Sequence, residues 1–144
     1  MAWTRRVAPI TEIYRNLNTG VYSVQPFTEG PVATTAFGDP TEILPQEFDE
    51  RIVNAVIANL EKFGKDKFEE HRAIRRNPEE QRSFIKAHVA VSIRKDPTGR
   101  LIVRPLHRER GGFVGFDEDA IILEAEQIGA KIAAAVMEAF RRAT

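Results

Sequence analysis

The sequence predicts an α+β domain: a mainly antiparallel sheet built from hairpins, with two long amphipathic helices packed against it. Two pairs of short alternating apolar segments are joined by turn-forming residues, Asn18-Thr19-Gly20 and Asp96-Pro97-Thr98-Gly99. Phe48, Ile52, Val53, Val56, Ile57, Leu60 and Phe63 recur at three- and four-residue spacing, as the buried stripe of a helix does. Ile128, Ile132, Val136 and Phe140 recur at steps of four, with Ala135 and Ala139 beside them.

Taken in order, residues 10–17 and 21–24 form the first hairpin. A third extended segment, 32–37, is fenced by Gly30-Pro31 and Gly38-Asp39-Pro40. The first helix opens at Pro45, which suits an initial turn, and closes at Gly64 in the manner of a C-terminal cap. Residues 65–76 are highly charged, with Phe68 and Ile74 as anchors. Asn77-Pro78-Glu79-Glu80 starts a short helix running to about Ala87: an N-cap, a proline at the first position and two carboxylates near the positive dipole end. Phe84 and Ile85 face inward. The second hairpin joins 89–93 to 101–104. Gly111-Gly112 interrupts the chain and allows a bulge or tight turn that brings Phe113 inward. Residues 120–123 form a last strand, and 126–142 the last helix. No internal repeat is expected.

The 144 residues suit a single domain, 1–144, which at this size hides roughly 70% of its unfolded surface. There are 21 basic and 21 acidic side chains, so the formal charge is zero. Nucleic-acid binders usually carry a basic excess, because phosphate neutralisation supplies their non-specific affinity. Arginine outnumbers lysine 15 to 6, which suits fixed pairing with carboxylates at interfaces. Cysteine is absent, which excludes disulfides and thiolate sites and fits a reducing compartment. Met1-Ala2-Trp3-Thr4-Arg5-Arg6 lacks the apolar run of a secretory signal, and no stretch reaches the roughly 20 apolar residues of a membrane span. A cytoplasmic location is expected, with no membrane or nucleic acid as direct partner.

No enzyme signature is present: no phosphate-binding glycine-lysine loop, no nucleophile elbow, no paired histidines around a glutamate on a helix. Gly111-Gly112-Phe113-Val114-Gly115 lacks the lysine and the helix a phosphate cradle needs. His88 and His107 sit at nearly matching distances from the second hairpin's turn, with Arg104, Arg108 and Arg110 nearby. Side by side, they would form an acid–base pair for phosphodiester cleavage; otherwise His88 caps a helix end and His107 is a strand residue. Asp117-Glu118-Asp119 lacks the alternation of a calcium loop, so neither metal nor cofactor is expected. Arg108, Glu109, Arg110, Asp117, Glu118 and Asp119 form a mixed charged surface that suits a protein contact.

Ile121-Ile122-Leu123 followed by the helix from Ile128 to Arg142 resembles the ending of bacterial contact-dependent growth inhibition immunity proteins. Residues 13–20 and Gly112-Phe113-Val114-Gly115 are compatible with the same family. The resemblance implies a cytoplasmic antidote that binds the toxin domain delivered by a neighbouring cell, often a nuclease, without cofactor or catalytic group. Such an antidote can place carboxylates in an electropositive nuclease site, and charge alone nominates Glu69, Glu70 and residues 117–119. A self-associating structural or regulatory domain is a further reading, and the residues leave the oligomeric state open.

Overall fold

The computed structural model describes residues 8–65 and 67–144. Residues 1–6, read above for a secretory signal, lie outside that range. The described strands are β1 Ile10–Asn16, β2 Tyr22–Glu29, β3 Thr34–Ala36, β4 Thr41–Ile43, β5 His88–Lys95, β6 Leu101–Glu109, β7 Gly112–Gly115 and β8 Ile121–Leu123. They pair antiparallel in one sheet, ordered β3-β2-β1-β5-β6-β7, with β4 also on β2 and β8 also on β6. The helices are α1 Phe48–Lys62, α2 Pro78–Ala87 and α3 Ile128–Arg142. This is the α+β architecture the patterning predicts. The strands at Thr41–Ile43 and Gly112–Gly115 were not anticipated; the interruption expected at Gly111-Gly112 is a tight turn at Arg110 and Gly111, with Gly111 at φ +96°.

Local chemistry shapes the connections. Asn16 Oδ1 accepts from the amides of Asn18 (2.8 Å) and Thr19 (3.1 Å), and Gly20 takes φ +75° to complete the turn. In the second hairpin Asp96 accepts from the Thr98 hydroxyl (2.7 Å), the amides of Thr98 and Arg100, and Arg100 Nε. These donors, the Thr98 hydroxyl foremost, hold its carboxyl down at about 2. Asn77 and Glu80 form a reciprocal capping box at the start of α2. Gly64, at φ +73°, closes the end of α1.

The structure overturns one expectation: the fold is an internal duplication. A hairpin, two short edge strands, a 3-10 turn and a long helix run from β1 to α1 and again from β5 to α3. The turns Pro45–Glu47 and Ala125–Gln127 and the helices Phe48–Lys62 and Ile128–Arg142 are each offset by 80 residues. Register confirms it. Ile13 faces Val24 as Ile93 faces Val103; Tyr22 faces Ile43 as Leu101 faces Leu123; Phe27 faces Ala36 as Leu106 faces Gly115. The second hairpin is one residue shorter. Where the halves join, Thr11 faces Ile93, Glu12 faces its own equivalent Ser92, and Ile13 faces Val91. A pseudo-twofold axis therefore passes between Glu12 and Ser92, because an interface of this symmetry pairs each contact with its mirror.

Both halves bury the same side of the sheet. Ile13, Val24, Ile43, Ile52 and Val56 are fully buried in one core with Ile93, Val103, Ile132 and Val136, and α1 and α3 pack side by side over them. Each such side chain contributes about 1.5–3 kcal/mol on burial. The opposite side carries a smaller cluster, Tyr14, Ala90 and Leu106, with Phe84 of α2 and Phe113 against it. Phe113 thus turns inward as the glycines beside it predict.

The repeat is chemically imperfect at one buried pair. Asn59 Nδ2 donates to Thr11 Oγ1 at 3.1 Å, and Thr11 donates to the Gln25 carbonyl. Their equivalents in the second half are Ala139 and Val91, both buried and apolar. Thr11→Val alone strips the Asn59 amide of its best acceptor and is expected to destabilise by about 1–3 kcal/mol. The double variant Thr11→Val, Asn59→Ala, which copies the second half, should cost less than the sum of the singles. Urea unfolding of the four proteins measures this; strict additivity would refute it.

Candidate functional site

The sheet has one side sealed by α1 and α3 and one crossed by the connection between the halves. That connection first runs along the outer edge of β3. Ile74 N donates to Ala36 O (2.9 Å), Gly38 N donates to Arg72 O (3.0 Å), and Phe37 and Ala73 form a bridge. The guanidinium carbon of Arg72 lies 4.3 Å from the Phe37 ring centroid, and Phe68 packs 5.7 Å from it. Both expected anchors, Phe68 and Ile74, are in place. α2 then sits on β5 and β7.

Near the pseudo-axis on this side is a group the sequence reading passed over. Glu12 is half-buried on β1 and accepts from the Tyr14 hydroxyl. Burial pushes its carboxyl above the ordinary 4.5, opposed by the Tyr14 hydrogen bond and the charge of Arg104. Burial and the neighbouring Glu12 push the Tyr14 phenol well above 10. The signal was available: Thr11-Glu12-Ile13-Tyr14 alternates, so Glu12 and Tyr14 share one side of the strand.

The two histidines do not converge. Odd-numbered residues of β5 face odd-numbered residues of β6, so His88 lies on the Ala90 side and His107 on the Val103 side. His88 Nδ1 is 2.7 Å from Phe84 O, and its ring stacks on Phe84 at 4.2 Å. His107 contacts Thr144 Oγ1 at 2.7 Å and Asp119 Oδ2 at 3.2 Å on the opposite side of the sheet. Matching distance from the turn does not place residues on one face; parity decides that. The acid–base pair is excluded by register.

The charged residues singled out in the sequence divide into two groups. Glu69 pairs with His71 (3.3 Å) and Glu70 with Arg75 (3.0 Å), beside the β3 edge. Arg108, Glu109, Arg110 and residues 117–119 lie at the β7 edge. The edges are five strand spacings apart, about 24 Å, so the eight residues do not form one contact patch. Asp117 reaches Arg104 (3.2 Å, its side chain 82% exposed), while Glu118 and the hairpin tip Arg108 to Arg110 are exposed. Among the described residues no cluster of three or more acidic or histidine side chains could hold a metal ion.

Two residues missed by charge-based reading complete the β7 edge. Val114 and Phe116 are 39% and 44% exposed and apolar, on the His107 side of the strand, whereas Arg108 and Asp117 lie on the Gly115 side. Phe116 rests against His107, ring centroids 5.7 Å apart. Gly115 lets β7 approach, since a Cβ there would lie 2.6 Å from Arg104 Nε and 2.8 Å from Leu106 Cδ2. Among the described residues no helix is long and apolar enough to cross a membrane.

Glu12 has a measurable consequence. Its native carboxyl binds a proton more tightly than the unfolded one, so its contribution is fully present below pH 4.5 and is lost as pH rises through the raised native value. Glu12→Gln keeps an acceptor for Tyr14 and removes the desolvated charge. The variant should gain stability relative to the parent as pH rises above 4.5, read from urea midpoints between pH 4 and 8. An unchanged pH profile would refute this.

No protein-family model matches the chain, and no curated protein matches it. Among solved structures, a Neisseria meningitidis protein of unknown function (NMB0488) has a TM-score of 0.70 at 14% identity, over 100% of each chain. The likeness is one of fold.

Proposed function

We propose that the chain is a cytoplasmic immunity protein that binds and neutralises the toxin domain, a nuclease, of a contact-dependent growth inhibition system. The observation that carries this reading is the β7 edge, where Val114 and Phe116 are exposed on the His107 side of the strand, Arg108 and Asp117 are exposed on the Gly115 side, and Glu109, Arg110 and Glu118 stand toward its two ends. A partner on this edge meets an aromatic anchor on one side of the strand and charges on the other side and at its ends, the apolar and charged components of a protein-binding surface. Both signs of charge are present, so the patch gives orientation and register to a partner carrying the complementary pattern. The sequence resemblance to immunity proteins agrees with it.

The test is capture of the purified toxin domain encoded immediately upstream, together with growth protection of cells expressing that toxin. Tight one-to-one binding and protection are expected. Arg108→Glu with Asp117→Lys should weaken binding by about 10-fold or more, since each close interfacial charge pair couples by about 1.5 kcal/mol or more. Absence of binding by the parent chain would end the reading.

A further inference from the structure

The pseudo-symmetry makes the two lateral edges of the sheet directly comparable, and they differ in one respect. From the paired registers, Thr34, Thr35, Ala36 and Phe37 correspond to Phe113, Val114, Gly115 and Phe116. In the first half the edge is occupied. The segment that leaves the 3-10 turn Glu70–Arg72 and runs extended from Ala73 bonds through Arg72 O to Gly38 N and through Ile74 N to Ala36 O, and Arg72 and Phe68 cover the Phe37 ring, leaving it 4% exposed. In the second half, among the described residues, β7 pairs with β6 alone, and the equivalent ring, Phe116, is 44% exposed.

Nor is this edge guarded as natural edges usually are. Lysine, proline, inward charge or a covering segment normally blocks edge pairing. Gly112-Phe113-Val114-Gly115-Phe116 carries no charge and no proline. Next to it stand Asp117, Glu118 and Asp119, where the first half has Gly38-Asp39-Pro40.

We propose that β7 takes an extended segment of a protein partner as an added antiparallel strand, in the place that residues 72–74 hold on β3. The partner's strand donates an amide to Gly115 O and accepts from Asp117 N, the counterparts of the two bonds that Ala36 and Gly38 make. A small or β-branched residue lies beside Gly115. An arginine covers Phe116 as Arg72 covers Phe37, and the 117–119 carboxylates favour its charge. The same carboxylates oppose a nucleic-acid strand. This deepens the immunity reading by naming the segment chemistry through which the toxin docks, and it rests on that reading for the partner's identity.

The probe is a capped synthetic peptide, Glu-His-Arg-Ala-Ile-Arg-Arg, which copies residues 70–76. It is titrated into the full chain while backbone amide shifts are followed by NMR. The expected result is saturable shifts confined to residues 112–119, with 34–38 unmoved. Phe116→Leu, which keeps apolar bulk but removes the ring, should weaken the peptide by about 5- to 30-fold. A peptide with Glu in place of the first arginine should weaken it similarly. The thermal transition of Phe116→Leu, matching the parent, certifies its fold. Shifts at 34–38 instead, no shifts at millimolar peptide, equal binding to Phe116→Leu, or a dimer of the parent chain paired through β7 would each overturn the proposal. The arms separate from the immunity reading: toxin captured undiminished by Phe116→Leu, without peptide shifts, sinks the strand proposal alone. Peptide bound at β7 with no toxin captured sinks the immunity reading alone.

Discussion

The antiparallel seam between β1 and β5 is the constraint on which the rest of the structure depends. Each half, a hairpin with edge strands and one helix, presents an apolar sheet surface that a single helix covers only in part. Pairing β1 to β5 about Glu12 and Ser92 merges two such surfaces into one. It also brings α1 and α3 side by side, so that Ile52 and Val56 share a core with Ile132 and Val136. A slip of one residue at this seam would put Ile13 on the opposite side of the sheet from Val91 and Ile93. The register is therefore held by burial on one side, which leaves the other side free to carry polar groups such as Glu12.

Breaking the symmetry is the work of the connection between the halves. It seals the β3 edge, buries Phe37 and then lays α2 against β5 and β7, where Phe84 meets Tyr14 and Phe113. No counterpart accompanies β7 among the described residues. The asymmetry converts two equivalent edges into a finished one and an open one, and the open one carries the exposed aromatic and the acidic turn. A binding reading gains its specificity from that contrast, because exposure alone is common on protein surfaces.

The same duplication also explains which residues charge-based reading gathers wrongly. Glu69 and Glu70 belong to the segment that covers β3, and their partners His71 and Arg75 lie within that segment. Residues 108–110 and 117–119 belong to the opposite edge. Proximity in composition is not proximity in the fold.

Local patterning determined the hairpins, their turns, both long helices and the start of α2, because each depends on residues within about one or two turns of chain. It also showed that Phe68, Ile74 and Phe113 are anchors. The repeat was present in the ladders Phe48-Ile52-Val56-Leu60 and Ile128-Ile132-Val136-Phe140, 80 residues apart, but it was veiled by substitutions that keep only apolar character. Tertiary structure alone decided the strand order, the separation of His88 from His107 and the exposure of Phe116. Pairing between distant strands sets which side of a sheet each residue faces, and no short-range pattern encodes the partner strand.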